Sequence, residues 1–93
     1  MVVKNGFHGA HSTLANLAVG AEGIVESIEL AEDDARRLME LGFLPGHAVR
    51  CSRRTPLGGP RVYQVDGAEI ALRLDTAEQI RVRVLAAALR EAS

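Results

Sequence analysis

Aromatic residues are scarce in this chain of 93 residues, which has no tryptophan, one tyrosine and two phenylalanines. That shortage counts against two binding modes that an arginine-bearing small module would otherwise suggest. Sequence-tolerant binders of single-stranded nucleic acid stack bases on aromatic side chains, and grooves for proline-rich peptides are lined by aromatic rings. On the arginine-bearing segments only Tyr63 is available, so no nucleic-acid partner is expected. A single cysteine, Cys51, excludes an internal disulfide and suits a reducing compartment. No apolar run approaches a membrane span, and no basic-then-apolar leader opens the sequence. The expectation is a cytoplasmic protein that meets a membrane only through a partner. Catalytic signals are equally sparse. No serine or cysteine comes with a base and an orienting acid in a readable motif, and "LGGP" lacks the Lys-Ser/Thr end of a phosphate-binding loop. Neither enzymatic activity nor a cofactor is expected.

What is present is a composition 47% hydrophobic and 25% charged, which indicates one globular domain with a core near the lower limit for independent folding. Charge is distributed unevenly. Residues 1–49 carry three basic groups against seven acidic ones and residues 50–93 carry eight against five, so halves of −4 and +3 lie behind a net charge of −1. Such polarity either steers a partner or is simply two solvated surfaces.

Residues 1–12 show no sustained periodicity and read as a flexible tail, leaving a domain over 13–93. "STLANLAVG" suggests a short helical turn capped by Ser12 or Thr13. In "IVESIEL" Ile24, Ile28 and Leu30 share one parity, as in a half-buried strand, with Glu26 breaking the pattern. "AEDDARRLMELGF" is a helix with Ala31, Ala35, Leu38, Met39 and Gly42 on one face and Glu32, Asp33 and Asp34 capping its positive end. Gly42 is placed to take the left-handed position past that helix while Phe43 folds back on Leu38, and Pro45-Gly46 has the pairing of a type II turn. In "HAVRCSRR" Val49 and Cys51 point inward and Arg50, Ser52 and Arg54 outward. Asp66-Gly67 is a hairpin signal between "RVYQV" and "AEIALRL", where Ala68, Ile70, Leu72 and Leu74 read as inward. "DTAE" resembles a capping box at Asp75 and Glu78, "IRVRV" is a last strand, and "LAAALREAS" suggests a closing helical turn. About five short strands with one inserted helix predict a mainly β fold, a small barrel.

Metal ligation finds little support. His8 and His11 lie three apart in "HGAH", but an intervening glycine and the tail position favour coincidence. His47 reads as a surface residue and Cys51 as a small buried hydrophobe, so no metal site is assigned. These residues point to a small protein-interaction module.

The blocks "RRLMELGFLPG" and "TPLGGP" followed by "GAEIALR" occur in an order and spacing that resemble the FeoA family, with similarity running from about Leu14 to Val84. The resemblance implies an SH3-like β-barrel. It also implies an accessory role in bacterial ferrous iron uptake beside FeoB, a membrane transporter with a cytoplasmic GTP-binding domain. Because the same domain type is found fused to metal-responsive repressors, the alternative is a regulatory domain that binds a divalent transition metal or supports a repressor. Weak self-association is a further open reading. Many relatives carry aspartate where this chain has Gly59. In and flanking "TPLGGP" the expected partner-binding residues are Arg54, Thr55, Pro56, Leu57, Gly58 and Arg61. Pro56 and Pro60 either hold Leu57 out as an anchor or let it fold over the barrel end as a lid.

Overall fold

The structure, a computed structural model, describes residues 10–85. Strands β1 (His11–Thr13), β2 (Glu22–Ile28), β3 (Ala48–Arg54), β4 (Arg61–Val65), β5 (Ala68–Leu72) and β6 (Ile80–Val84) form one antiparallel sheet in the order β1-β6-β2-β3-β4-β5. Helix α1 (Glu32–Glu40) joins β2 to β3, and a single helical turn, α2 (Leu74–Ala77), joins β5 to β6. The sequence reading expected about five strands and a closed barrel. The sixth strand is β1, which starts at His11, inside the segment read as tail, and pairs with Arg81–Arg83. No ladder joins β1 to β5, so the sheet curls without closing. The closing turn suggested by "LAAALREAS" falls outside the described residues beyond Leu85.

Inward parity is reset twice by irregularities in the ladders. The register between β2 and β6 shifts between Val25 and Ser27. An extra residue in one strand lets positions an odd number apart face the same side, so Val25 is buried and Ile24 only half-buried, the reverse of the parity reading. A second shift, between Cys51 and Arg53, sets Arg53 opposite Val62 and Arg54 opposite Arg61. Arg61 has the parity of buried Tyr63 and Val65, and it lies opposite buried Leu72. Arg54 and Arg61 therefore belong to the inner face, at its open end, whereas plain alternation would put Arg54 outside.

The link from α1 to β3 comes from local chemistry. Phe43 N–H donates to the Leu38 carbonyl (3.1 Å) and Gly42 N–H to Met39 (3.0 Å), with Gly42 at φ 114°. That is the six-to-one and five-to-two pairing of a Schellman closure, and it drives Phe43 fully into the core against Leu38. His47 N–H then donates to Leu44 (2.9 Å) around Pro45-Gly46, with Gly46 at φ 92°. Asp66 and Gly67 both take positive φ, as the tight hairpin requires. Other local readings are corrected. α1 is capped by Ala31 without a side-chain hydrogen bond, so its first-turn acids complement the dipole without capping it, and Met39 is exposed. α2 begins at Leu74 with Arg73 as its cap, which places Asp75 inside the turn, 3.5 Å from the Arg73 guanidinium. Thr13 precedes a 3-10 turn (Leu14–Asn16) without capping it through its side chain, and Ala68 is exposed.

Tyr63 ties the two ends of the sheet together. Its buried hydroxyl donates to the Leu14 carbonyl oxygen at 2.8 Å, pinning the turn after β1 onto β4. Burial raises the Tyr63 phenol well above its ordinary range and also raises the Cys51 thiol. The folded state therefore keeps protons that the unfolded chain releases, and stability is complete below the unfolded values and declines as pH rises past roughly 9 to 10. Tyr63→Phe should lose about 1–3 kcal/mol at neutral pH, because the Leu14 carbonyl is left without its partner. The same variant should show a shallower loss of stability above pH 10 than the parent. Chemical denaturation at pH 7 and pH 10.5 checks both expectations, and equal alkaline slopes would contradict this role.

Candidate functional site

Between β3 and β4 the chain makes a clasp and then a tip. Thr55 N–H and Thr55 Oγ1 both donate to the Pro60 carbonyl oxygen, at 3.2 and 2.7 Å, which draws the base of the loop together. Above it, Gly59 N–H donates to Pro56 at 3.2 Å across Leu57 (φ 60°) and Gly58 (φ 76°). Two successive positive φ values define a type I′ turn, which favours Asn-Gly at its centre. Leucine in the left-handed region costs about 1–2 kcal/mol. Leu57 is also 102% exposed, so no packing among the described residues offsets that backbone. The lid reading is thereby corrected, since Leu57 covers nothing.

Gly59 is explained by its neighbour. A Cβ there would fall on Thr55 Oγ1, well inside contact distance, and 3.4 Å from the Pro56 carbonyl oxygen. An aspartate at this position would have to displace the hydroxyl that clasps Pro60. Glycine at this position and threonine at 55 go together.

Beside the loop, a groove of about 370 Å³ runs between Gly58–Pro60 and α2, lined further by Arg73, Leu74, Asp75 and Glu78. A second, of about 440 Å³, lies between α1 and β5, with Leu30, Leu38, Leu41 and Leu72 as its apolar floor and Asp34, Arg37 and Arg73 at its rim. Arg73, which borders both, was not among the expected site residues, because its position follows from the turn into α2 rather than from any motif. Arg54 and Arg61 stand opposite one another at the base of the loop. Arg61 is half-buried, and its Nε is buried without a hydrogen-bond partner.

The remaining candidates are dispersed. His11 Nδ1–H donates to Glu26 at 2.8 Å on the exposed sheet surface. His47 is exposed, Cys51 is buried, and His8 lies outside the described residues. Among the described residues no three histidine, cysteine or acidic side chains gather as metal ligands. Titration of the full chain with zinc or ferrous ion should show no tight stoichiometric site, since two ligands at an exposed position hold a metal weakly. A one-to-one calorimetric isotherm abolished by His11→Ala would contradict this. Among the same residues no helix is long and apolar enough to cross a membrane.

A family model described as the FeoA domain matches residues 12–84. No curated protein gives a match. Among solved structures, the zinc-complexed FeoA of Stenotrophomonas maltophilia is 40% identical, with 81% of this chain and 91% of that one covered at a TM-score of 0.65. It is described as a procaryotic SH3 domain protein and a candidate bacterial ferrous iron transport activating factor. The FeoA protein of Chlorobium tepidum is 33% identical over 78% of this chain and 70% of that one, with a TM-score of 0.74. A manganese-dependent transcriptional repressor has a TM-score of 0.72 at 23% identity, and the match spans 83% of this chain but 43% of the repressor. At that identity the likeness is one of fold.

Proposed function

This chain belongs to the FeoA family, and from that premise we propose that it docks through the Thr55–Pro60 loop on the cytoplasmic GTP-binding domain of a FeoB-type transporter and so modulates ferrous iron uptake. The family role is accessory to ferrous iron transport, and the fold is the SH3-like one described for the Stenotrophomonas maltophilia protein. One observation carries the assignment of the loop. Leu57 combines a disfavoured backbone with complete exposure of a large apolar side chain, and strain of this kind persists where function requires it. Pro56, Pro60 and the Thr55 clasp fix the loop before it meets a partner, which lowers the ordering cost of binding.

The dispersed ligands make the regulatory alternative, a domain that senses a divalent metal by itself, the weaker reading, and the repressor likeness extends to fold alone. The docking assignment is tested with the full chain and the transporter's purified cytoplasmic domain, by interferometry in nucleotide-free and GTP-analogue states. Saturable binding in at least one state is expected, and an absence of binding in both would overturn it.

A further inference from the structure

We propose that Arg54 and Arg61 form a receptor for a carboxylate side chain of the docked protein partner, gripping it at short range beside the Leu57 anchor. The inference rests on the docking assignment and goes beyond it by naming the chemistry that the partner must present. Among the described residues Arg36, Arg53, Arg73 and Arg81 each lie within 4 Å of an acid, namely Asp33, Glu69, Asp75 and Glu29. Arg37, Arg50, Arg54, Arg61 and Arg83 have no such acid among those residues, and of these only Arg54 and Arg61 face each other across a ladder, between β3 and β4. Like charges directly opposite on adjacent strands destabilise a sheet, and nothing among the described residues offsets this pair.

The ladder shift at Ser52 is what brings them together. With plain alternation Arg54 would join Arg50 on the outer face, where water and Glu69 are at hand. Instead it shares the inner face with Arg61, whose Nε is already out of solvent and unpartnered. A desolvated guanidinium donor binds an anion far more strongly than an exposed one, and its planar fork fits a carboxylate in two-point contact. One guanidinium part-buried and one exposed, at the base of an exposed leucine, call for an apolar pocket rimmed by aspartate or glutamate. Nucleic-acid phosphate fits less well, since among the described residues no exposed aromatic platform accompanies the pair. A single leucine is also a small anchor for a lipid surface.

Long-range steering and short-range gripping differ in kinetics. A rim charge changes the association rate and its salt dependence, whereas a desolvated pair changes dissociation. Arg61→Gln should therefore speed dissociation from the transporter's cytoplasmic domain by roughly tenfold or more, an effect that persists at high salt, while Arg61→Lys should fail to rescue because an ammonium lacks the fork. Arg54→Gln, at the exposed member of the pair, should also weaken binding, with more of the effect in association and a greater sensitivity to salt.

A probe independent of the transporter separates the two ideas. Sodium acetate titrated into the nitrogen-15-labelled chain, against sodium chloride at equal ionic strength, should shift the Nε resonances of Arg54 and Arg61 saturably and leave those of Arg50 and Arg83 in place. If acetate moves no arginine or all alike, the receptor is wrong even where docking stands. If Leu57→Ala binds the domain normally while acetate still selects the pair, the docking assignment is wrong and the partner's contact lies elsewhere. Stronger selection of inorganic phosphate than of acetate, or Leu57-dependent sedimentation with phosphatidylglycerol vesicles, would replace the carboxylate with a phosphate-bearing partner and overturn the proposal.

Discussion

Gly42→Val should lower the melting temperature by roughly 12 °C or more, against about 4–8 °C for Gly46→Ala. Both glycines sit at positive φ, 114° and 92°, but their surroundings differ. A Cβ at Gly42 would lie 3.1 Å from Asp66 Oδ2 and 3.3 Å from Val65 Cγ2, whereas nothing stands within 4 Å of one at Gly46. A valine at 42 thus combines backbone strain of about 1–3 kcal/mol with crowding of similar size against the β4–β5 hairpin. Alanine at 46 meets the backbone term alone, about 1 kcal/mol. In a domain of this size each 1 kcal/mol moves the midpoint by roughly 4–8 °C. The asymmetry follows from what the closure does, since it delivers Phe43 to the bottom of the core. Thermal melts of the two variants side by side check it, and equal midpoints would remove Gly42 from that role.

The comparison shows what a sequence can carry and what it cannot. The helix stop was readable because its cause is local: Gly42, Phe43, Pro45 and Gly46 each act within a few bonds of their own positions. The Asp66-Gly67 hairpin was readable for the same reason. Parity failed at Glu26 and Ser52, where the ladders slip by one residue. A bulge is set by how two distant strands meet, so alternation counted along one strand runs past it. Strand β1 was missed because three residues are too few to show a period, and its pairing with Arg81–Arg83 joins segments some seventy positions apart. "DTAE" misled because a capping pattern describes what a side chain can do, and the turn starts two residues earlier, with Arg73 as its cap and Ala77 buried.

The loop divides along the same line. That it turns was legible from Pro56, Gly58 and Pro60, whereas the choice between an exposed Leu57 and a lid needed the structure. The left-handed backbone of Leu57 was not, because nothing in the residue itself favours that conformation. The Thr55–Gly59 fit and the inward pair of arginines also needed the three-dimensional register. These features separate a surface turn from a shaped one.

On the docking proposal, function and stability pull apart at position 57, where an asparagine would suit the backbone better than leucine. Leu57→Asn should restore the type I′ preference and raise stability by about 1 kcal/mol. Leu57→Ala, removing an exposed side chain, should stay within roughly 0.5 kcal/mol of the parent. Both should weaken binding to the transporter's cytoplasmic domain by tenfold or more, as truncation of a central apolar anchor does. A structural role would couple the two quantities with the same sign. The most direct test is therefore melting and binding measured on the same preparation of Leu57→Asn. A higher melting temperature with binding weakened at least tenfold is the predicted result, and a lower melting temperature with binding unchanged would contradict the assignment of this loop as the docking surface.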